Sequence, residues 1–194
     1  MSLESLIQLD QHITLWLNSF HSPASDQFWM FMSDVKVWFP AYLAVAVATF
    51  WRLGWKRGLV VVLSLILTVV VVDQSATHLK EGLERLRPCY TTWMLDNGLN
   101  WPVNRPNYFG FFSGHASNSF AFAVVSCMGF RADKTCSCRL YGFCVFLWAA
   151  LVSISRVMMG MHYLGDILAG ILFGLAVGFV IGLLARTIIV KANL

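Results

Sequence analysis

Three short stretches of a mostly apolar chain gather the side chains that could do chemistry. Ser155 and Arg156 precede His162, and Asp166 follows it four residues later. If the chain is helical from Tyr163, His162 and Asp166 share one face. A carboxylate so placed can hold the imidazole in one tautomer and support positive charge on it. Arg156 offers a planar fork matched to phosphate or carboxylate. Ser113-Gly114-His115 opens an apolar run. A helix N-terminus presents free N–H groups to an anion, and Gly114 lets that anion come close. Lys80 and Arg87 add positive charge, and cations gathered in an apolar setting need an anion to balance them. One reading supplies it internally, from Asp73, Glu81 or Glu84, with polar pairs that lock helices together. The other is a phosphate cradle made without metal or cofactor. In it His162, oriented by Asp166, attacks phosphorus. His115, across the anion, protonates the leaving oxygen. Lys80, Arg87 and Arg156 balance the charge growing on the phosphoryl oxygens.

The elements that must position these groups are membrane helices. Hydrophobic residues make up 58% of the 194 and charged residues 12%, whereas soluble domains carry about a quarter charged. Mean hydropathy is +0.66. The net charge of +4 is modest and needs no nucleic acid to explain it; in a membrane protein such an excess sits in cytoplasmic loops. The length fits one domain, residues 1–194, and the N-terminus lacks the basic start of a cleavable signal. Leu3, Leu6, Ile7, Ile13, Trp16 and Leu17 recur at helical spacing, which predicts an amphipathic helix over residues 2–20 lying at the membrane interface. Spans are expected over about residues 28–50, 58–79, 113–130, 140–154 and 163–190. The expected fold class is an all-α integral membrane protein: a bundle of about five transmembrane helices plus the interfacial helix, or six with that helix included. Residues 80–112, rich in aromatics, read as a long extracytoplasmic loop over the active site. Gly165, Gly170, Gly174, Gly178 and Gly182 form a stripe that lets another helix approach closely, within one chain or between two.

The basic loops 51–57 and 131–139, and the basic C-terminus, alternate onto one side, which is cytoplasmic by the positive-inside rule. Lys80, Arg87, His115, Arg156 and His162 then meet near the opposite surface. The remaining polar and aromatic residues have simpler readings. His12, His21 and His78 read as loop or interface histidines. Asn118 either orients His115 or caps a helix contact, and Arg105 is a solvated loop charge. Trp93, Trp101 and Tyr108 form an interfacial belt, with a lipid-binding lip as the sharper alternative. Met158, Met159 and Met161 are packing residues. The five cysteines are scattered, and Cys136-x-Cys138 has no second pair to complete a metal site.

Lys80-x6-Arg87-Pro88, Ser113-Gly114-His115 and Ser155-Arg156-x5-His162-x3-Asp166 together resemble the three-part signature of the type 2 phosphatidic acid phosphatase superfamily. These membrane lipid phosphatases are related in core fold to soluble bacterial acid phosphatases and vanadium haloperoxidases. The motifs cover residues 80–166, and the helix pattern extends the likeness to most of the chain. One departure is Phe112, where the family usually has proline before Ser-Gly-His; proline would pre-set the turn but supplies no chemistry. The resemblance implies that His162 becomes a phosphohistidine oriented by Asp166. It implies that His115 acts as acid and then as base for water. Lys80, Arg87 and Arg156 would bind phosphate with Ser113 and the Gly114 backbone, with no metal or organic cofactor.

The expected activity is metal-independent hydrolysis of a lipid phosphomonoester or diphosphate. The expected place is the cytoplasmic (inner) membrane, with the active site facing the periplasm or cell exterior. The substrate partner is a membrane lipid phosphate within the bilayer; oligomeric state is open. Undecaprenyl diphosphate is the first expectation, because a small protein with little extramembrane mass has limited means to read a large head group. Phosphatidylglycerophosphate, phosphatidic acid and lipid A phosphates are the alternatives within the same chemistry. A phosphate-lipid transporter would bind the same anion without cleaving it, but its site belongs nearer the midplane. An intramembrane serine protease built on Ser113 sits poorly with the surrounding cations.

Overall fold

The structure, a computed structural model, describes residues 2–104, 106–132 and 138–192. Arg105, Lys134 and Cys136 lie outside them. The helices are α1 (Leu3–Asn18), α2 (Pro23–Ser33), α3 (Phe39–Leu83), α4 (Thr92–Asp96), α5 (Gly114–Phe130), α6 (Arg139–Met158) and α7 (Leu164–Lys191). Among the described residues the only β pairing is one antiparallel bridge, Leu86 to Phe109. Three segments are long and apolar enough to cross a membrane: Val35–Leu83, Arg139–Met158 and Leu164–Lys191. α5 is shorter, with 17 residues.

Local sequence explains where these helices start and turn. Ser22 and Ser25 form a capping box at the head of α2, with Pro23 in its first turn, where the missing N–H costs nothing. The span expected over 28–50 is therefore split: α2 ends at Ser33, and a 3₁₀ turn at Val35–Trp38 leads into α3. Within α3, Gly54 has φ +74°, a conformation glycine adopts at little cost. A Cβ on Gly58 would lie 3.1 Å from the Cα of Phe50. In a straight helix those residues would stand about 12 Å apart along the axis, so the chain doubles back at Gly54. The charges Arg52, Lys56 and Arg57 flank that reversal, as the loop at 51–57 predicted. The span expected to stop at 79 continues to Leu83, so Lys80 stands on a helix rather than in the loop. Likewise α6 runs on past 154 and carries Arg156 in its last turn.

α5 is the hub, packed against α3, α6 and α7. The glycine stripe of α7 faces it. A Cβ on Gly170, Gly174 or Gly178 would meet backbone atoms of Ser113, Ser117 or Ala121 at under 3.0 Å. The stripe thus packs within one chain. The Gly54 turn and the far ends of α5 and α7 close together around Leu53, Val61, Val125, Ile181 and Ile189. The Arg52 guanidinium lies 5.8 Å from the ring centre of Phe130 at this basic end.

α1 is inside-out by soluble standards. Leu3, Leu6, Ile7, Leu9 and Trp16 are exposed, while Thr14 and Asn18 are fully buried. The inward stripe is Asp10, Thr14 and Asn18, spaced by four. Asn18 Nδ2 donates to the carbonyls of Val157 and Met158 at 3.1 and 2.9 Å. Thr14 Oγ1 accepts from Leu164 N at 2.9 Å, and Asp10 Oδ1 from Gly165 N at 2.8 Å. These are orphan backbone groups at the end of α6 and the start of α7. α1 thereby clamps the α6–α7 turn. That turn reverses at Gly160, φ +63°, the residue whose type marks it for the task. A Cβ there would lie 2.8 Å from the carbonyl oxygen of Asn100.

Candidate active site

The α3 end, the loop before Pro88, the α5 head, the α6 end and the α6–α7 turn each present one charged or reactive side chain to the same space. Lys80, Arg87, His115, Arg156 and His162, with Gly114, line one cavity of about 740 Å³. Away from these groups its walls turn apolar, through Trp38, Tyr42, Leu65, Phe122 and Trp148. A charged mouth that continues into an aromatic groove suits a molecule with an anionic head and a hydrocarbon tail.

The protonation pattern of His162 follows from its neighbours. Arg87 Nη1 stands 2.8 Å from His162 Nε2. A guanidinium can only donate, so Nε2 must be the accepting, unprotonated nitrogen and the proton sits on Nδ1. Nδ1 faces the Gly110 carbonyl and, at 3.4 Å, Asp166 Oδ2. Burial, reinforced by Arg87, Arg156 and Lys80, holds His162 well below the usual imidazole range. It is a neutral base with its lone pair aimed into the cavity and masked by an arginine. Arg87 itself is fixed by Asn107, through Nε on the carbonyl and Nη2 on Oδ1, both at 2.8 Å.

Across the cavity, Ser33 at the end of α2 holds two groups at once. Its hydroxyl accepts from Arg156 Nη1, and its backbone carbonyl, an orphan of the helix end, accepts from the His115 ring. Arg156 is buried, at 8% exposed, and its Nε has no partner. It makes no ion pair with any carboxylate among the described residues. The internal counter-charge reading therefore fails for this arginine. Asp73 bonds to Asn118 instead, and Glu81 and Glu84 are exposed. Nothing in the sequence flags Ser33, which is one of several serines in an apolar background.

Asp166 does pair, but with an arginine the sequence reading passed over. Arg85 Nη1 donates to Asp166 Oδ1 at 2.6 Å, and Arg85 Nη2 to Asp10 Oδ2 at 2.7 Å. Its guanidinium also lies 4.4 Å from the Tyr163 ring centre. The signal was the alternation Arg85-Leu86-Arg87 in an extended segment, where residues two apart share a face. Leu86 points away, 43% exposed. Arg87 thus meets the imidazole while Arg85 meets the carboxylate behind it. Arg85→Met should lower kcat on the order of tenfold to a hundredfold while KM shifts little, because it loosens an orienting group and not a reacting one. Steady-state kinetics check the split, and Arg85→Lys should restore part of the loss.

The other expected residues separate clearly. Gly114 lies at the cavity wall, where a Cβ would sit 3.9 Å from Lys80 Nζ. Ser113 is wholly buried and does not line the cavity; its hydroxyl caps α5 by accepting from Ala116 N at 3.4 Å. Asn118 does not orient His115. His12 packs edge-on against Trp93 at 4.8 Å, His21 stands 3.8 Å from Asp26, and His78 is exposed on α3. Trp93 and Trp101 are partly buried against Cys89, Met94, Leu99 and Tyr163; they support the loop over the site. Tyr108 remains exposed at 62%.

Comparison with known proteins agrees with this geometry. The family model for the PAP2 superfamily matches residues 54–189. The chain is 32% identical to a lipid A 4'-phosphatase of Bacteroides thetaiotaomicron over 89% of its own length and 75% of that protein. It is 28% identical to a lipid A 4'-phosphatase of Porphyromonas gingivalis over 91% of its length and 72% of the relative. Its fold is similar to the crystal structure of a transmembrane PAP2 type phosphatidylglycerolphosphate phosphatase from Bacillus subtilis. There the TM-score is 0.74 and the identity 21%, with 95% of this chain and 88% of that one covered. With the site assembled from the same three motifs, the chain belongs to the PAP2 superfamily and is a membrane lipid phosphatase.

Proposed function

We propose that this enzyme hydrolyses a lipid phosphate monoester without metal, at the outer face of the cytoplasmic membrane, through a phosphohistidine on His162. The observation that carries the reading is Arg156, a buried guanidinium with a free Nε and no carboxylate partner among the described residues. It lines, together with His115 and His162, a cavity that runs on into an apolar groove. An anion is the missing partner.

Phosphate oxygens arriving among Lys80, Arg87 and Arg156 take Arg87's donor away from Nε2 and so unmask the lone pair. Nε2 then forms the P–N bond as the P–O ester bond breaks, and His115, which takes up a proton once the phosphate charge offsets the surrounding cations, gives that proton to the leaving oxygen. Asp166 supports the positive charge that grows on the imidazole. In the second step water attacks phosphorus, His115 takes its proton, the P–N bond breaks, and inorganic phosphate leaves. The Gly114 amide and the α5 N-terminus stabilise the equatorial oxygens. The basic ends at the Gly54 turn and beyond α5 support placement of the site on the side away from the cytoplasm.

The isoprenoid diphosphate expected from the sequence finds no support among the relatives, which are named for lipid A and phosphatidylglycerophosphate. The reading moves to those monoesters. Purified protein in detergent with chelator should release phosphate from a lipid A 4'-phosphate, phosphatidylglycerophosphate or phosphatidic acid. Binding of all three with no phosphate released would overturn hydrolysis in favour of a carrier.

The pH dependence has a definite sign. His162 is held below its ordinary value near 6.5, so the nucleophile stays neutral as pH falls through 6.5. After correction for the second ionisation of the substrate phosphate, near 6, kcat/KM should show no His162 limb at 6.5. Its acid limb should lie lower. Stability runs the other way: unfolded His162 takes a proton near 6.5 and the folded form does not, so its contribution is lost as pH falls below 6.5. A kcat/KM profile and thermal melts across pH 4–8 check both.

A further inference from the structure

The mechanism leaves one polar pair in the cavity unused. Asn118 Nδ2 donates to Asp73 Oδ1 at 2.6 Å, and both residues line the same cavity as the histidines. The pair is unsaturated. Asn118 Oδ1 is buried without a partner, and Asp73 Oδ2 has none among the described residues. Asp73, exposed and held by Asn118, therefore offers a free acceptor to a space whose other walls are mostly cationic or apolar, with Ser33, Tyr42 and Ser119 the polar exceptions. Asp73 makes no direct ion pair with Lys80 among the described residues; its charge favours that of Lys80 only across a distance, which leaves the second carboxylate oxygen free.

Their position along the helices gives the pair a place in the reaction. Asn118 follows His115 by three residues, about 4.5 Å further into the bundle along α5. Asp73 precedes Lys80 by seven residues, about 10 Å in the same direction along α3. His115 is the proposed donor to the leaving oxygen, so the atoms just beyond that oxygen lie where Asn118 and Asp73 face them. Bare hydrocarbon there would strand a carboxylate without a donor. A second phosphate would be repelled by it. An ammonium would be repelled by Lys80, Arg87 and Arg156. A neutral hydroxyl or amide N–H donor satisfies the free Asp73 oxygen without adding charge.

We propose that Asp73 and Asn118 form a specificity subsite for hydroxyl or amide donors on the alcohol that carries the phosphate. It selects amino-sugar or polyol phosphate lipids over phosphatidic acid, whose ester carbon has no such neighbour. This inference rests on the phosphatase reading above.

Two sources share this chemistry, an acylated glucosamine 4-phosphate and phosphatidylglycerophosphate. Each is to be assayed beside dioleoyl phosphatidic acid with the full-length enzyme and with Asp73→Asn and Asn118→Ala. The ratio of kcat/KM for a donor-bearing lipid to that for phosphatidic acid should exceed one in the wild type and fall at least tenfold in each variant. Which of the two donor-bearing lipids suffers the larger fall identifies the source. Asp73→Asn keeps size and the bond to Asn118, so its effect is not one of folding. A ratio that stays constant, whether both activities fall together or neither changes, overturns the subsite. A wild type that hydrolyses none of the three overturns the phosphatase reading itself, and the subsite with it.

Discussion

His162→Ala should lower kcat/KM by at least about 10⁴-fold on every lipid phosphate, because it removes the atom that bonds to phosphorus. His115→Ala should behave differently, and the difference tests the division of labour. A general acid contributes on the order of 10² to 10⁴, and most when the leaving group is a poor one such as an alkoxide. With an aryl phosphate, whose leaving oxygen needs no proton, the first step should survive in His115→Ala while the second, which needs a base for water, stays slow. That variant should accumulate a labelled phosphoenzyme on brief exposure to ³²P-aryl phosphate, stable to base and labile to acid. His162→Ala should accumulate none. Full activity in His162→Ala, or equal losses in His115→Ala on aryl and alkyl esters, would contradict the assignment. Protein purified in detergent suffices, and circular dichroism of each variant excludes loss of the helices as the cause.

The residues that react were legible because their types are rare in such a chain. Charged and titratable groups in an apolar background stand out, and Lys80, Arg87, His115, Arg156 and His162 do meet in one cavity. What positions them was harder to read. The stripe Asp10, Thr14 and Asn18 lies on a helix whose polar side would face solvent in a soluble protein. Here the relation inverts: apolar side chains face outward and the polar stripe turns in to cap the α6–α7 turn. Hydropathy periodicity gives the existence of α1 but not the direction of its faces. The end of α3 was misplaced for a related reason. The polar run from Lys80 onward suggests that the chain leaves the membrane, yet the helix continues to Leu83 and carries Lys80 on the face that lines the cavity. Arg85 and Arg87 are the same residue type two positions apart, and only the partners distinguish them. Ser33 carries no signal at all, since its role depends on α2 ending where Arg156 and His115 arrive from other helices.

Arg156→Met should separate stability from activity. Removing one member of a buried ion pair commonly costs 3–5 kcal/mol, because the partner charge is stranded. Arg156 has no such partner among the described residues. Its neighbours in the cavity are other cations, and its Nε is unsatisfied. Among the described residues its side chain hydrogen-bonds the Ser33 hydroxyl and no carboxylate. Methionine fills similar volume without a charge to desolvate. The variant should therefore unfold at the wild-type temperature or a few degrees above it, neutral to about 2 kcal/mol more stable. Activity should move the opposite way, with kcat/KM lower by on the order of 10² to 10³, the usual loss when one donor to a developing oxyanion is removed. Arg156→Lys should not rescue it, since a point charge cannot reproduce the planar fork that spans Ser33 and a phosphate oxygen. Inorganic phosphate supplies the decisive comparison. At one hundred times its dissociation constant it should stabilise the wild type by about 2.7 kcal/mol. In Arg156→Met the same concentration should give a clearly smaller shift. A variant that unfolds well below the wild type, yet keeps the full phosphate-induced shift, would mean that Arg156 serves the fold and not the anion.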